Sequence, residues 1–264
     1  MTKIWAIVRK EWAEVFRRKI VLFSVAFMPL IFSAIPLIAL YSIRNVTDIS
    51  ELSDLGSLLD LAPQLCGTLD QLACAQFLLM QQFMVLFLLL PVIIPVTIAS
   101  YSIVGEKTAK TLEPLLATPI TTTQLLAGKA LAAVLPAIGA TLIGYTIFST
   151  GTYFMATDPT VAAQLFAPLW LLGIIVVGPL LSITGVSIAV MVSSRVNDPR
   201  VAEQVSALVV LPIIAVFAGQ VLGAIVINMQ FMILVAIALV FIDAALIFVA
   251  TQLFQRESIL TRWK

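Results

Sequence analysis

Six long apolar runs dominate this chain and leave it one place to fold. A helix that crosses a bilayer needs about 20 mostly apolar residues. Runs of that kind are read at Ile20–Ile43, Phe77–Val104, Ala130–Met155, Pro168–Ser193, Gln204–Ile227 and Phe231–Phe254. Alternation of apolar and polar residues is absent, which argues against a β-barrel. The 264 residues are 61% hydrophobic and only 11% charged. A soluble core of this length cannot hide so much apolar surface, so the bilayer must act as solvent. The expected fold is all-α: a polytopic membrane protein of six transmembrane helices, one domain over residues 1–264. Between the fifth and sixth runs stand only Asn228, Met229 and Gln230, and the fifth contains Pro212, Gly219 and Gly223. A shorter fifth span followed by a re-entrant helix is therefore an open alternative.

Charge placement orients the chain. Fourteen of the 15 lysines and arginines fall in residues 1–19, 105–129, 194–203 and 255–264; Arg44 alone falls elsewhere. Basic loops stay in the cytoplasm. Both termini and two inner loops are thus expected there, in a multi-pass protein of the cell (cytoplasmic or inner) membrane. The first apolar run is too long for a cleaved signal and has no small-residue cleavage site, so it reads as a retained span. The outer loop 44–76 is acidic and holds both cysteines, Cys66 and Cys74. A disulfide persists on that side and not in cytosol. Pairing is expected, with two free thiols as the alternative.

Several function classes drop out. The chain has no histidine, which removes His-based metalloprotease motifs and Ser-His-Asp triads. No metal site is expected. Gly105-Glu106-Lys107-Thr108 resembles the tail of a P-loop, but its upstream glycine and residue order are wrong. Basic residues are scattered over short loops, so no nucleic-acid surface is expected.

Residues 1–19 read as an amphipathic helix. Ile4, Val8, Trp12 and Val15 share a face with Trp5 and Phe16, while Arg9, Lys10, Glu14, Arg17 and Arg18 lie elsewhere around it. Tryptophans with a basic rim suit a helix in the membrane interface; a simple basic anchor for the first span is the alternative.

The inner loop after the second span carries the most information. Pro114 suits the first position of a short helix, and Pro119 stops it. Thr121 and Gln124 form a capping box for the next helix, with Ile120 and Leu125 placed for a hydrophobic staple. A short cytoplasmic helix held between two bends then presents Leu112, Leu115 and Leu116 beside Glu106 and Glu113. Leucines so placed serve either to dock a protein or to dip into lipid.

The pattern Glu106…Thr111-Leu112-Glu113-x-Leu115-Leu116-x-Thr118-Pro119…Gly128-Lys129 resembles the signature of the ABC-2 type permease family. Lys110 replaces a glycine often found there. A second block, Ser193-Ser194-Arg195-Val196-Asn197-Asp198-Pro199-Arg200-x-Ala202-x-Gln204, is similar to the loop after span four in the sodium-extruding and multidrug-like branch. Read physically, Asp198 is a good N-cap with Pro199 at the first helical position. The resemblance implies a permease subunit of an ATP-binding-cassette exporter, not itself an enzyme. It implies that residues around Glu106, Thr111, Glu113, Leu115, Leu116, Thr118 and Pro119 form a coupling helix on a separate ATPase. Arg195, Asp198 and Arg200 mark the second inner loop. ATP and Mg would sit on the partner ATPase, with no cofactor on this chain. A second permease copy, or a similar chain, completes the expected assembly.

Polar groups inside the apolar runs are few. Asp243 lies near the middle of the sixth and should face the bundle interior or water. It is either a cation or proton site on a transport path, or a protonated acid bonded to a neighbouring helix. On the first reading the chain would be a stand-alone channel or secondary transporter using Asp243. Pro91 and Pro95 predict a kink in span two, followed by Thr97, Ser100 and Ser102, whose hydroxyls line a cavity or simply pack. Gly219-x-x-x-Gly223, Ala140-x-x-x-Gly144 and Gly185-x-x-x-Ala189 allow close helix approach.

Overall fold

A computed structural model describes residues 3–17, 19–45, 66, 69–108 and 120–253. Among these, six helical stretches are long and apolar enough to cross a membrane: Val21–Arg44, Gln71–Glu106, Thr122–Met155, Pro159–Arg195, Pro199–Val221 and Met229–Leu253. They are spans one to six. By helix the order is α1 (Lys3–Val15), α2 (Lys19–Arg44), α3 (Gln71–Phe87), α4 (Leu90–Thr108), α5 (Thr122–Met155), α6 (Pro159–Ala163), α7 (Pro168–Leu171), α8 (Gly178–Arg195), α9 (Pro199–Ser206), α10 (Leu211–Val221) and α11 (Met229–Leu253). No strand occurs among the described residues.

Span two is the axis of the bundle. It is 83% buried, against 24%, 11% and 22% for spans one, five and six. Span four packs along it, span three lies against spans one and two, span six leans on span four, and span five lies on span two. Span two is itself broken at Leu88–Leu89, between α3 and α4. Pro91 explains the break: it has no N–H for the Phe87 carbonyl, and its ring crowds that carbonyl. The chain answers with shorter bonds from Leu88 N to Val85 O and Leu89 N to Leu86 O. Thr97 bonds back to Ile93 O and the Ser100 carbonyl accepts from Ser193 Oγ at 2.9 Å. The Thr97 hydroxyl bonds within its own helix, and the Ser193 hydroxyl ties span four to span two.

Two of the three small-residue motifs do the same. Gly144 lies against Pro29 of span one, and Ser33 there donates to the Gly144 carbonyl at 2.8 Å. Gly185 faces Val92 and Val96 of span two. The third motif has a different cause. Gly223 has φ +71°, Ala224 N bonds Gly219 O at 2.8 Å, and Gly223 N bonds Gln220 O at 3.0 Å. That pair of bonds around a left-handed glycine is a Schellman helix end. Span five therefore stops at Val221, short of the expected Ile227, and no helix intervenes before Met229. The re-entrant alternative has no helix to occupy.

Three spans meet in a cluster of Phe87, Tyr145, Phe148 and Trp170, with ring centroids 5.0–6.4 Å apart. The Tyr145 hydroxyl donates to the Leu165 carbonyl. Nearby, Gln76 donates to Leu40 O and Met155 O and accepts from Thr157 N, tying spans one to three at the end away from α1.

Candidate functional site

The site worth building lies where α1 meets spans two and three. Gly128, in the first turns of α5, has no side chain because none fits: an added Cβ would lie 2.7 Å from Ile7. Its absence lets α1 lie directly on α5. Ile7, Val8, Glu11 and Val15 form the buried face of α1. Trp5, Trp12 and Phe16 form a separate aromatic strip beside it, with centroids 5.7 and 6.4 Å apart. Trp5 and Phe16 are exposed. Trp12 reaches inward far enough to donate from Nε1 to Ala132 O at 2.9 Å. The helix is amphipathic, as its spacing predicts, but its docking face includes a carboxylate.

That carboxylate joins a buried charge cluster. Lys129 Nζ donates to Glu11 Oε1 at 2.8 Å, to Ser102 Oγ at 2.8 Å and to Ser102 O at 3.2 Å. It also pairs with Glu106 Oε2 at 3.0 Å. Ser102 Oγ donates in turn to Glu11 Oε2 at 2.9 Å. Lys10 Nζ donates to Glu106 Oε1 at 2.6 Å and stands 3.6 Å from Glu14. The side chains of Lys129, Glu11 and Glu106 are 2%, 4% and 4% exposed. Burial alone would push the Lys10 ammonium down; the Glu106 hydrogen bond and the fields of Glu106, Glu11 and Glu14 outweigh it and raise its pKa above 10.5.

The cluster pins three elements together. Glu106 stands at the end of α4, Lys129 near the start of α5, and Glu11 on α1. Residues 109–119 join the ends of α4 and α5, so the cluster clamps their base. Thr121 begins α5 with the expected capping box: its Oγ1 accepts from Gln124 N at 3.3 Å, and Gln124 Oε1 accepts from Thr121 N at 3.2 Å. Of the expected coupling residues the structure places Glu106. Thr111, Glu113, Leu115, Leu116, Thr118 and Pro119 lie outside the described residues.

The second block arrives at the same end. Asp198 caps α9, accepting from Arg200 N at 2.8 Å, with Pro199 first in the helix. Arg195, Asp198 and Arg200 are exposed, while α9 packs on α4. The structure does not bring these three into the charge cluster.

Two further residues stand apart. Asp243 is buried and accepts from Thr184 Oγ1 of span four at 2.6 Å. Its Oδ2 has no hydrogen-bond partner among the described residues. Cys66 and Cys74 are joined as a disulfide with Cα atoms 5.5 Å apart, at the start of span two. Among the described residues no group of acids and cysteines could hold a metal ion.

The model of the family described as ABC-2 family transporter protein matches residues 5–241. The chain belongs to the ABC-2 transporter family. It is thus a membrane permease component of an ABC transporter, and membership implies an ATPase partner. None of the curated proteins matches it. The matched stretch takes in α1 from Trp5 onward and the whole charge cluster of this ABC-2 permease, and ends just before Asp243.

Lys10, Glu11 and Lys129 were not singled out as site residues by the sequence. Lys129 belongs to the family-like pattern, but its role needs Glu11, 118 residues away. A charged residue on the apolar face of a helical wheel was the available signal.

Proposed function

We propose that this chain is the transmembrane subunit of an ABC exporter, in which a separate ATPase drives efflux through a pair of permease subunits. The second subunit is another copy or a similar chain. Both termini and the loops at 105–129 and 194–203 lie in the cytoplasm, where the ATPase is. The helix expected around Thr111–Thr118 docks on that ATPase, with Leu115 and Leu116 as apolar contacts and Glu106, Glu113 and Pro119 fixing its approach. Arg195, Asp198 and Arg200 form the second surface on the same side. The resemblance to the sodium-extruding and multidrug-like branch supports export as the direction.

One observation carries this reading. The segment expected to couple is held at its base by a buried ion cluster shared among span two, span three and α1. A push on such a segment moves three elements together instead of bending a loop, as transmission from an ATPase requires.

The test is co-purification of the tagged chain from its native membrane, followed by mass spectrometry. A stoichiometric P-loop ATPase is expected, and Leu115→Asp with Leu116→Asp should release it while the bundle stays folded. Absence of any ATPase under gentle detergent, with transport intact, would overturn coupling and favour a stand-alone transporter.

A further inference from the structure

Spans three and six both pack on span four but touch each other only sparsely. Between them lies a cavity of about 200 Å³. Val186 and Val190 of span four, 2% and 4% exposed, form its floor. Ala127 and Ala130 line it from span three and Ala250 from span six. These short side chains keep the two walls apart. Each helix contributes residues spaced three or four apart, from Thr123 to Ala130, from Ile183 to Val190 and from Ile247 to Thr251. That spacing is one helix face, so the cavity is a groove running along the helices.

Its size and chemistry select the occupant. Seven residues of helix measure about 10 Å, so the volume corresponds to a cross-section of about 20 Å², one hydrocarbon chain wide. Among the described residues no charged side chain lines it, and its hydroxyls are those of Ser187, Thr123 and Thr251. The two threonines stand at one mouth, beside the start of α5 and the end of α11. An apolar cavity of about 150 Å³ stays dry and binds a molecule the size of benzene, whereas a drug-sized ligand takes about 300–1,000 Å³. The groove is thus too dry for an ion and too narrow for a drug. Its edge at Ile247, 48% exposed inside span six, opens toward the surroundings of the bundle, which at that depth are lipid tails. We propose that this groove binds one hydrocarbon chain of a bilayer lipid, which enters sideways past Ile247.

The bound chain has a mechanical consequence. The first turns of α5 line the groove with one face, while Gly128 and Lys129 on another meet Ile7 and Glu11 of α1. The start of α5 is therefore held between the ion cluster and the lipid chain. A ligand that fits one arrangement of two stabilises that arrangement. Displacement of α5 by residues 109–119 reshapes the groove and expels or reseats the chain. That this happens in a transport cycle rests on the permease reading; that the chain binds does not.

The test uses the purified full chain in phosphatidylcholine nanodiscs, with no ATPase present, so failure of coupling leaves the result untouched. The probe is phosphatidylcholine with an alkyl diazirine at the middle of one chain, and mass spectrometry locates the photolabelled residues. Phe248, next to Ile247 in sequence and 64% exposed, reports ordinary lipid contact at the same depth. Labelling of Ile183 and Val186 should exceed that of Phe248 by about fivefold, because a pocket holds its ligand where a lipid-facing surface does not. Ala250→Phe fills the groove and should remove the excess while labelling of Phe248 stays unchanged. Ala127→Phe does so from the facing wall and serves if the first variant does not fold. A phosphatidylglycerol probe should label the groove equally, since the chain and not the headgroup is recognised. Labelling of Ile183 and Val186 no stronger than that of Phe248 overturns the proposal. So does an excess that survives in a folded groove-filling variant, or a strict requirement for one headgroup.

Discussion

Lys129 is 2% exposed and has carboxylate oxygens at 2.8 and 3.0 Å, so side chains and not solvent balance its charge. Lys129→Met leaves Glu11 and Glu106 buried together with Lys10 as the remaining cation. Breaking a buried pair from one side costs about 3–5 kcal/mol. The unfolding midpoint should fall accordingly, and adding Glu11→Gln should restore part of it, since the stranded charge is then gone. If Lys129→Met is neutral, the cluster does not hold α1. Lys10 adds a pH test. Its folded pKa lies above 10.5, so its contribution is complete below the unfolded value and is lost as pH rises through the folded one. Retention of α1 against protease should thus stay flat through neutral pH and weaken only above about 10.5. At this scale the sequence exposes residues that offend their surroundings. Asp243 stands out in an apolar run, and Glu106 by its loop pattern. Glu11 shows only as a charge on the apolar face of α1, with its partner 118 residues away, and Thr184 shows not at all, because it is ordinary in its own helix and gains meaning from a contact 59 residues away.

Elements were legible where local chemistry sets them. The capping box at Thr121, the Asp198-Pro199 start of α9 and the proline break in span two all depend on neighbours within four residues. Thr121→Ala should cost about 1 kcal/mol through loss of its cap, seen as fraying at the start of α5 by hydrogen exchange. The end of span five falls at Val221 and not at the expected Ile227 for a related reason. Apolarity continues through Ile225, Val226 and Ile227, and a hydropathy count does not register that a glycine has turned left-handed. Gly223→Ala should cost about 1–2 kcal/mol, the penalty of that conformation for a residue with a Cβ. Gly219-x-x-x-Gly223 is a stop signal here, although the same spacing elsewhere in the chain brings helices together.

For the whole molecule, hydropathy counts spans but does not rank them. Span six is the most apolar and only 22% buried, while span two is 83% buried. The difference is which neighbours surround each helix, and no single run of residues contains it. Orientation is the one global property the charges do encode, and it decides whether the proposed coupling can work. In a Cys66→Ser, Cys74→Ser background, single cysteines at exposed Arg200 and Thr160 report opposite ends of the bundle. An impermeant maleimide applied to right-side-out vesicles should label Thr160→Cys at once and Arg200→Cys only after lysis. The reverse pattern would put α1, the ion cluster and residues 109–119 outside the cell, where no ATPase works. The cluster would then be a structural brace alone.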